Sequence, residues 1–391
     1  MKIAIAVERF DQHGGGLEQW TWSLVHTLAE RGHRLTVLAF RAPAQPASPA
    51  ITLLLMPWHP SRLVRTRTAD AMITSLDADV VHDLGVASSA DVTQPQAGCR
   101  IANQVHELES LTPLQRFFAR MRPRRRRWLN ELRQFEQSLY IGNSSSLVIA
   151  VSQMVATDLN HWYGVAAERI RLIPNGVDTA RFQSPSADER SNYRRQFQVS
   201  DKTVFLFAAH NPRLKGLPFL FQAFARAKAC RPDLKLMILG KAPSKESLRT
   251  VRKLQIENDV LFPGFVADSV PYFAAADTFV LPTWHDACSL TVLEACACGL
   301  PVITTRRNGA SELLLSGREG RILDRPSNVD DLTAALIELS NPEVRAQMAG
   351  HARQLAAHHN FQTNVDAIER VYLELQERKH NARRISSRAT S

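Results

Sequence analysis

Short apolar runs alternate with stretches of helical periodicity along this 391-residue chain, and the alternation begins twice. In the first half, Ile3–Val7 leads through three glycines into an amphipathic stretch that ends near Arg31. The same order returns where Val204–Ala208 precedes a helical stretch over 217–229. Apolar strands that alternate with helices are typical of parallel sheets covered on both faces. The chain is therefore predicted to form two doubly wound α/β domains.

The segment from Pro174 to Asp178 marks the predicted domain boundary, because Pro and Asn-Gly are typical of a turn between a strand and a linker. A length of 391 residues also suits two domains of about 150 to 200 residues each. We assign residues 1–173 to the first domain and 174–359 to the second. The basic, Ser-rich segment 378–391 is predicted to be a disordered tail.

Composition restricts the class of protein. Hydrophobic residues make up 45% of the chain and charged residues 22%, as in ordinary globular proteins. No apolar run approaches the ~20 residues of a membrane span, and the N-terminus has no secretory signal pattern. The cysteines are odd in number, and Cys296 and Cys298 lie in an apolar helix, which favours reduced thiols and a cytoplasmic location. The net charge of +10 favours anionic partners.

The segment from Asp286 to Pro301 contains two carboxylates around the start of a predicted helix. Ser289 suits the N-cap, Leu290–Cys298 is apolar, and Gly299 suits the end of the helix. The first-turn N–H groups of a helix lack intrahelical partners and attract phosphate. Asp286 before the helix and Glu294 just past its first turn could then hydrogen-bond hydroxyls on either side of a diphosphate. Taken alone, the segment also fits an ordinary strand, loop and buried helix.

This segment resembles the Glu-x7-Glu motif of family-4 retaining glycosyltransferases, which have the GT-B fold of two Rossmann-like domains facing a deep cleft. The run from Glu294 to Val302 matches the family pattern, and Asp286 replaces the first Glu. The resemblance covers nearly the whole chain and is strongest to lipopolysaccharide core glucosyltransferases, which share the Lys215-Gly216 pair and the run from Leu293 to Thr305. It implies that a helix over about 360–377 crosses back onto the first domain.

The resemblance implies catalytic roles for four side chains. Glu294 would bind the ribose hydroxyls of the donor, and Asp286 would bind the donor sugar. Lys215, and Arg213 at a shorter spacing than is common in the family, would neutralise the diphosphate as it leaves. The predicted donor-binding positions are Gly15, Gly16, Ser289, Leu290, Thr291 and Glu294.

The predicted acceptor side includes Asp91 and Gln96. Residues 91–98 resemble a segment in which many relatives carry a His that touches the donor sugar, and Gln96 takes that position here. Glutamine can hydrogen-bond a hydroxyl but cannot titrate, so a mechanism that needs an imidazole at this position is not expected. Asp91 is a candidate acceptor-side carboxylate. The candidate substitutes for the imidazole are His13, His82 and His106.

Asp77-Ala78-Asp79 has the spacing of the Asp-x-Asp metal motif found in the other glycosyltransferase fold. It precedes an apolar strand as a surface turn does, and enzymes with the GT-B fold typically stabilise the diphosphate without a metal. We therefore expect no metal and no cofactor. The nucleotide sugar is a co-substrate.

The strongest charge cluster follows the aromatic pair Phe117-Phe118. Its residues are Arg124, Arg125, Arg126, Arg127 and Trp128. Basic residues beside aromatic ones suit an anionic bilayer surface, where each cation contributes about 1 kcal/mol. A solvated loop and a nucleic-acid patch are the alternatives. The membrane is favoured because similar enzymes build glycolipids at the inner leaflet, so we expect peripheral binding on the inner face of the cell membrane and no nucleic-acid partner.

The predicted reaction transfers a hexose from a nucleoside diphosphate sugar, with UDP-glucose as the expected donor. The acceptor is a hydroxyl on a glycolipid or polysaccharide such as lipopolysaccharide core. Retention in the family fits a front-face displacement in which the departing phosphate helps to deprotonate the acceptor. Two alternatives stay open: a nucleotide-sugar epimerase on the same fold, and a non-catalytic basic protein that binds membranes or nucleic acid.

Overall fold

Two fully parallel β-sheets, one in each half of the chain, organise the computed structural model, which describes residues 1–43 and 48–389. The strands of the first sheet are β1 (Lys2–Arg9), β2 (Arg34–Arg41), β3 (Ile51–Leu55), β4 (Val80–Asp83), β5 (Val92–Thr93), β6 (Leu147–Ala150) and β7 (Ile170–Leu172). Those of the second are β8 (Thr203–Ala209), β9 (Leu234–Gly240), β10 (Val260–Gly264), β11 (Thr278–Leu281), β12 (Val302–Thr305) and β13 (Gly320–Leu323).

Helices connect these strands along the whole chain. In the first half they are α1 (Gly16–Glu30), α2 (Arg62–Thr74), α3 (Arg100–Glu109), α4 (Pro113–Met121), α5 (Pro123–Ile141) and α6 (Gln153–Tyr163). In the second half they are α7 (Ala187–Gln196), α8 (Leu217–Cys230), α9 (Lys245–Lys253), α10 (Val270–Ala275), α11 (Leu290–Ala297), α12 (Val329–Glu338), α13 (Pro342–His358) and α14 (Phe361–Ala389). Short 3-10 turns cover Ala167–Arg169 and Gly309–Leu313.

The two sheets have the same winding. The first runs β3-β2-β1-β4-β5-β6-β7 and the second runs β10-β9-β8-β11-β12-β13. In each, the order reverses beside the first strand of the sheet, which is the mark of a doubly wound fold. Parallel strands need crossover helices that cover both faces, so their central residues are buried apolar ones, as in β6 and β8. The predicted fold class is confirmed.

The chain divides into two compact units between Pro174 and Asn175. The first unit contains Met1–Ala102, Phe117–Pro174 and the chain from Gln362 onward. Residues 103–116 group with the second unit, although the sequence analysis places them in the first domain. Contacts within the second unit explain this difference, since Arg307 Nη1 lies 3.0 Å from Glu109 Oε2.

The C-terminal segment is more ordered than the sequence analysis predicts. Helix α14 continues through Ala389, so the expected disorder of residues 378–391 is wrong for 378–389; residues 390 and 391 lie outside the described part. The start of α14 is held on the first unit, where Tyr372 Oη lies 2.7 Å from His82 Nδ1. Once a helix is nucleated, each further residue is added at little cost. The Arg378–Glu374 pair, 2.7 Å apart at i, i+4 spacing, supports this extension.

No helix within residues 1–43 and 48–389 combines the length and the apolar character that crossing a bilayer requires.

Candidate functional site

The candidate site lies where the strand order of the second sheet reverses. Open α/β sheets bind ligands beyond the carboxyl ends of their strands at such a point. Here the reversal lies between β8 and β11. The chain leaves β8 into the loop 210–216 and leaves β11 into the loop 282–289. Topology thus brings together two loops that are far apart in the sequence.

Lys215 and Asp286 form an ion pair across these loops. Lys215 Nζ lies 2.6 Å from Asp286 Oδ2, and each side chain is 18% exposed. The same ammonium donates to the carbonyl oxygen of His285 at 2.9 Å. Separate roles are predicted from the sequence for the two residues, one on the diphosphate and one on the sugar. The structure brings them together, so an anionic ligand that binds Lys215 must share it with Asp286.

Main-chain contacts hold the two loops in register. Trp284 N donates to Leu214 O at 2.8 Å. Gly216 has φ +79°, and a Cβ added to it would lie 1.9 Å from Pro282 O. Only glycine tolerates both this left-handed conformation and this approach. The Lys-Gly pair therefore matters as much for its glycine as for its cation.

Helix α11 begins directly after the second loop. Ser289 is its N-cap residue, but its side chain makes no capping hydrogen bond. Its Oγ lies 2.8 Å from Thr291 Oγ1 instead. The first-turn N–H groups of a helix have no intrahelical acceptors, so the start of α11, with Leu290 and Thr291, suits an anionic oxygen.

A third loop, which the sequence analysis missed, supports this helix start. The buried Asn308 side chain accepts from Ser289 N at 3.3 Å and donates to Thr304 Oγ1 at 3.0 Å. Asp286 N donates to Arg307 O at 3.0 Å, and Gly309 N donates to Asp286 O at 2.8 Å. The signal in the sequence is an Asn-Gly pair just after an apolar strand. These contacts fix the backbone at both Asp286 and Ser289.

Glu294 lies on the second turn of α11 and is partly buried. Burial raises the pKa of its carboxyl to about 7, and the positive charge of Arg181 opposes that shift. At neutral pH the group therefore exists in both protonation states. It can accept hydrogen bonds from a diol when ionised and donate one when protonated.

Arg213 is not brought to the Lys215–Asp286 pair. Its guanidinium lies 3.8 Å from Glu246 Oε1, and its side chain is 42% exposed. It lines a cavity of about 270 Å³, together with Lys241 and apolar side chains such as Phe221 and Phe262. Its predicted role on the diphosphate is thus not supported by its contacts.

His106, a candidate substitute for the missing imidazole, lies beside the second loop. Its ring stacks on that of His285, with centroids 5.1 Å apart. Burial and the neighbouring His285 lower the pKa of His106. The lowered pKa favours a neutral His106 imidazole beside His285, a placement that sequence spacing could not reveal. Of the other two candidates, His82 is fully buried with its pKa lowered by burial to about 3, and His13 lies in the loop after β1.

In the first unit, Gly15, Gly16 and Gln96 lie at the carboxyl edge of the sheet. Gly15 is the N-cap residue of α1, which follows β1. Gln96 follows β5, and its buried Nε2 makes no hydrogen bond to any residue that the structure describes. These positions agree with the edge at which a ligand binds, and their roles stay predictions.

Asp91 lies at the opposite edge, which contradicts its predicted acceptor-side role. It precedes β5, accepts from Val81 N at 2.8 Å, and pairs with Lys379 at 2.8 Å. A carboxylate in this place joins β4 to α14. The buried carboxyl at the ligand edge is instead Asp83, whose pKa is raised by burial to about 7. Asp83 is the last residue of a buried strand that begins with two valines, and this position was the signal in the sequence.

The basic residues 124–127 form the first turn of α5. Arg124, Arg126 and Arg127 are exposed, whereas Arg125 and Trp128 are partly buried. Nearby on α4, Phe117 is 58% exposed and Phe118 57% exposed. Aromatic and cationic side chains thus share this surface, and membrane binding stays a prediction.

Asp77 and Asp79 both contact Lys2, as residues of a surface turn do. Asp79 Oδ2 accepts from Lys2 N at 2.7 Å, and Asp77 pairs with its ammonium. In the described part of the chain, no three His, Cys, Asp or Glu side chains are grouped to hold a metal ion.

Two family models match the chain. The model described as "Glycosyltransferase Family 4" matches residues 14–181, and the model described as "Glycosyl transferases group 1" matches residues 201–341. The first covers most of the sheet of the first unit, and the second covers the loops that carry Lys215 and Asp286 and the helix that carries Glu294.

Curated relatives are about a third identical to the chain over the region that matches. A GDP-mannose-dependent alpha-(1-6)-phosphatidylinositol monomannoside mannosyltransferase of Mycolicibacterium smegmatis is 32% identical over 232 residues, which are 57% of this chain and 60% of that protein. A D-inositol 3-phosphate glycosyltransferase of Pseudarthrobacter chlorophenolicus is 32% identical over 237 residues, 58% of this chain and 55% of that protein. The matched region thus spans under two thirds of each relative.

Solved structures match over nearly the whole chain. WaaG, a glycosyltransferase involved in lipopolysaccharide biosynthesis, has a TM-score of 0.79 at 20% identity, covering 95% of this chain and 99% of WaaG. Anabaena HepE in complex with UDP-glucose has a TM-score of 0.71 at 20% identity, covering 96% and 100%. These likenesses establish the fold. With the two family models, they confirm the resemblance, and the chain belongs to the family-4 glycosyltransferases of the GT-B fold.

Proposed function

We propose that this protein transfers a hexose from a nucleoside diphosphate sugar to a hydroxyl of a glycolipid or polysaccharide, with retention at the anomeric carbon. The observation that carries the proposal is the Lys215–Asp286 pair, at 2.6 Å, beside the start of α11. A cation and a helix N-terminus suit a diphosphate, and the carboxylates suit the hydroxyls of ribose and sugar.

The reaction needs charge stabilisation more than a nucleophile. The bond from the anomeric carbon to the phosphate oxygen breaks, and a bond to the acceptor oxygen forms on the same face. The acceptor proton passes to the departing phosphate. Lys215 and the N–H groups of Leu290 and Thr291 would stabilise the negative charge that develops on that phosphate. Asp286 would accept hydrogen bonds from the hexose, and Glu294 from the ribose.

UDP-glucose is the first donor we propose, with lipopolysaccharide core as an example of the acceptor. HepE was solved with UDP-glucose, and WaaG is involved in lipopolysaccharide biosynthesis. GDP-mannose is the second candidate, because the M. smegmatis relative is GDP-mannose-dependent. Both donors share the diphosphate and ribose that Lys215, α11 and Glu294 would bind.

The test measures donor hydrolysis and transfer by mass spectrometry with UDP-glucose, GDP-mannose and other nucleotide sugars. We expect one donor to be consumed, and Asp286→Asn and Glu294→Ala to lower its turnover by at least about 100-fold. Asp330→Asn is the matched control, since that side chain is 87% exposed on α12. Unchanged turnover in both site variants would refute the assignment. No turnover of any donor by the wild type would favour the non-catalytic alternative.

A further inference from the structure

Three arginines gather at the carboxyl edge of the first sheet, where no predicted role uses them. Arg62 begins α2 after β3, and Arg65 lies one turn further along the same helix. Arg100 begins α3 after β5. Because all strands of the sheet are parallel, helices that follow a strand begin at the same edge. The three side chains thus lie on the ligand-binding edge of this unit.

Arg65 is held rigidly in this cluster. It is 7% exposed, and its Nη1 donates to His59 O at 2.9 Å. Its guanidinium carbon lies 5.8 Å from the ring centroids of both Phe40 and Trp58. Its Nη2 lies 3.5 Å from Glu8 Oε1, on a side chain that is 47% exposed. Aromatic packing therefore orients this cation, while a largely solvated carboxylate balances little of its charge.

Arg62 is the least compensated of the three. Its guanidinium lies 5.7 Å from the ring of Trp128. Its Nε is buried and makes no hydrogen bond to any residue within the described ranges. Burial lowers the pKa of Arg62, and the positive charge of Arg100 lowers it further. A desolvated cation beside like charges is unfavourable unless an anion offsets it.

Besides Glu8, two carboxylates near the cluster are used on helix ends. Glu131 Oε1 accepts from Ser61 Oγ at 2.8 Å and from Arg62 N at 3.1 Å, which caps α2. Glu136 accepts from Arg100 N at 2.6 Å and Ile101 N at 3.1 Å, which caps α3. Both carboxylates come from α5. Both accept from groups at the helix starts. Arg100 Nη2 donates to Gly85 O at 3.4 Å, and the guanidinium groups of Arg62 and Arg100 keep further donors for another partner.

We propose that Arg62, Arg65 and Arg100 bind a phosphate group carried by the acceptor. The site rests on the proposed function and specifies its acceptor as a phosphorylated sugar or polyol. A phosphate offers several oxygens to forked guanidinium donors, which hold it with two parallel hydrogen bonds each. The exposed Trp58 ring, 47% accessible, lies beside this cluster, with the guanidinium carbons of Arg41 and Arg65 at 5.1 and 5.8 Å from its centroid. The phosphate is either a monoester on a soluble sugar or a lipid headgroup.

The test compares binding of glucose 6-phosphate, glucose and inorganic phosphate to the full chain by calorimetry. We expect glucose 6-phosphate to bind at least about 10-fold more tightly than glucose, and Arg62→Gln to remove that preference. Arg67→Gln is the matched control, because Arg67 is exposed on the same helix. Arg62→Lys keeps the positive charge but loses the two parallel donors of the guanidinium group, so it should bind glucose 6-phosphate with intermediate affinity.

Vesicles of phosphatidylcholine with and without phosphatidylinositol distinguish the two sources of the phosphate, a lipid headgroup and a soluble sugar ester. Binding only to the inositol lipid, lost in Arg62→Gln, would assign the site to a headgroup; binding of the soluble ester would assign it to a free sugar phosphate. The proposal is overturned if neither probe binds better than its neutral counterpart, or if Arg62→Gln binds like wild type. Far-UV circular dichroism serves as the folding control, since the spectrum of Arg62→Gln should match that of the wild type. If the wild type hydrolysed no nucleotide-sugar donor, that result would refute the proposed function and leave the phosphate-binding site untouched.

Discussion

The carboxyl edges of the two sheets carry charge in opposite ways. In the second unit, Lys215 and Asp286 neutralise each other at 2.6 Å. In the first unit, Arg62, Arg65 and Arg100 lie together while the carboxylates of α5 cap helices. The balanced edge carries the family motif, and the unbalanced edge carries residues that the motif does not include. We therefore expect the donor part of the site to follow the family motif, while the proposed acceptor-phosphate site depends on residues outside that motif.

The largest expected effect follows from breaking the balanced pair. Lys215→Ala removes the cation beside the departing phosphate, and turnover of the donor should fall by about 100-fold to 1,000-fold. Turnover measured by mass spectrometry under saturating donor checks it. Lys253→Ala, an exposed lysine on α9, is the control. Full activity in Lys215→Ala would mean that the pair only joins two loops.

The backbone under that pair can be tested next. A Cβ at Gly216 would lie 1.9 Å from Pro282 O at φ +79°, so Gly216→Ala should lower the free energy of unfolding by about 2 kcal/mol or more. Gly350→Ala should instead raise the free energy of unfolding. Nothing lies within 4 Å of a Cβ at that position, and alanine favours the helix over glycine by roughly 0.5–1 kcal/mol. Urea unfolding measures both. Equal effects of the two substitutions would show that the close approach is absent.

Glu294 gives the balanced edge a pH dependence. Its pKa in the folded protein is about 7 against an ordinary 4.5, so the folded state binds the proton more tightly than the unfolded state. Below pH 4.5 the carboxyl is protonated in both states and does not change the free energy of unfolding. Above about pH 7 it is ionised in both states, and its burial lowers the free energy of unfolding by the full amount. Glu294→Gln should raise the free energy of unfolding at pH 8 by up to about 3 kcal/mol, and leave it unchanged at pH 4.5. Denaturation at both pH values checks this, with the exposed Glu257→Gln as control. A pH-independent difference would contradict the raised pKa.

The smallest expected effect concerns the exposed arginines of α5. Arg126→Gln removes one surface cation, and its binding to vesicles of anionic lipid should weaken by about fivefold, which corresponds to about 1 kcal/mol. Sedimentation with vesicles at two salt concentrations measures it, and Arg67→Gln controls for net charge. If both variants lost vesicle binding equally, the binding would depend on net charge and not on this patch.

Most of the fold was predictable because its signals are local. Apolar strands, glycine turns and helical periodicity indicate each βα unit without knowledge of its partners, and the strand after Pro174 restarts the pattern. The end of α14 was not predictable from composition, since a basic, Ser-rich segment reads as disordered in isolation. Its helical state depends on a start that is already packed against β4 through Tyr372.

The candidate site was predictable where a motif defined it and not elsewhere. Lys215, Asp286 and Glu294 follow from a pattern of residues, but the direct contact between Lys215 and Asp286 depends on strand order. Asp91 was misplaced because the two-residue strand Val92–Thr93 that follows it was not predicted, so its place at the amino edge of the sheet was not recognised. Asn308 and Arg62 act through partners that are distant in the chain, and spacing alone gives no sign of them.

Helix α5 has a consequence for how such a protein could change its substrate. Glu131 and Glu136, five positions apart on this one helix, hold the beginnings of both α2 and α3. A slide or a rotation of α5 would therefore displace Arg62 and Arg100 in concert, while the donor loops of the other unit kept their hydrogen bonds. Substitutions along a single helix could retune the preferred acceptor and leave the transfer chemistry untouched.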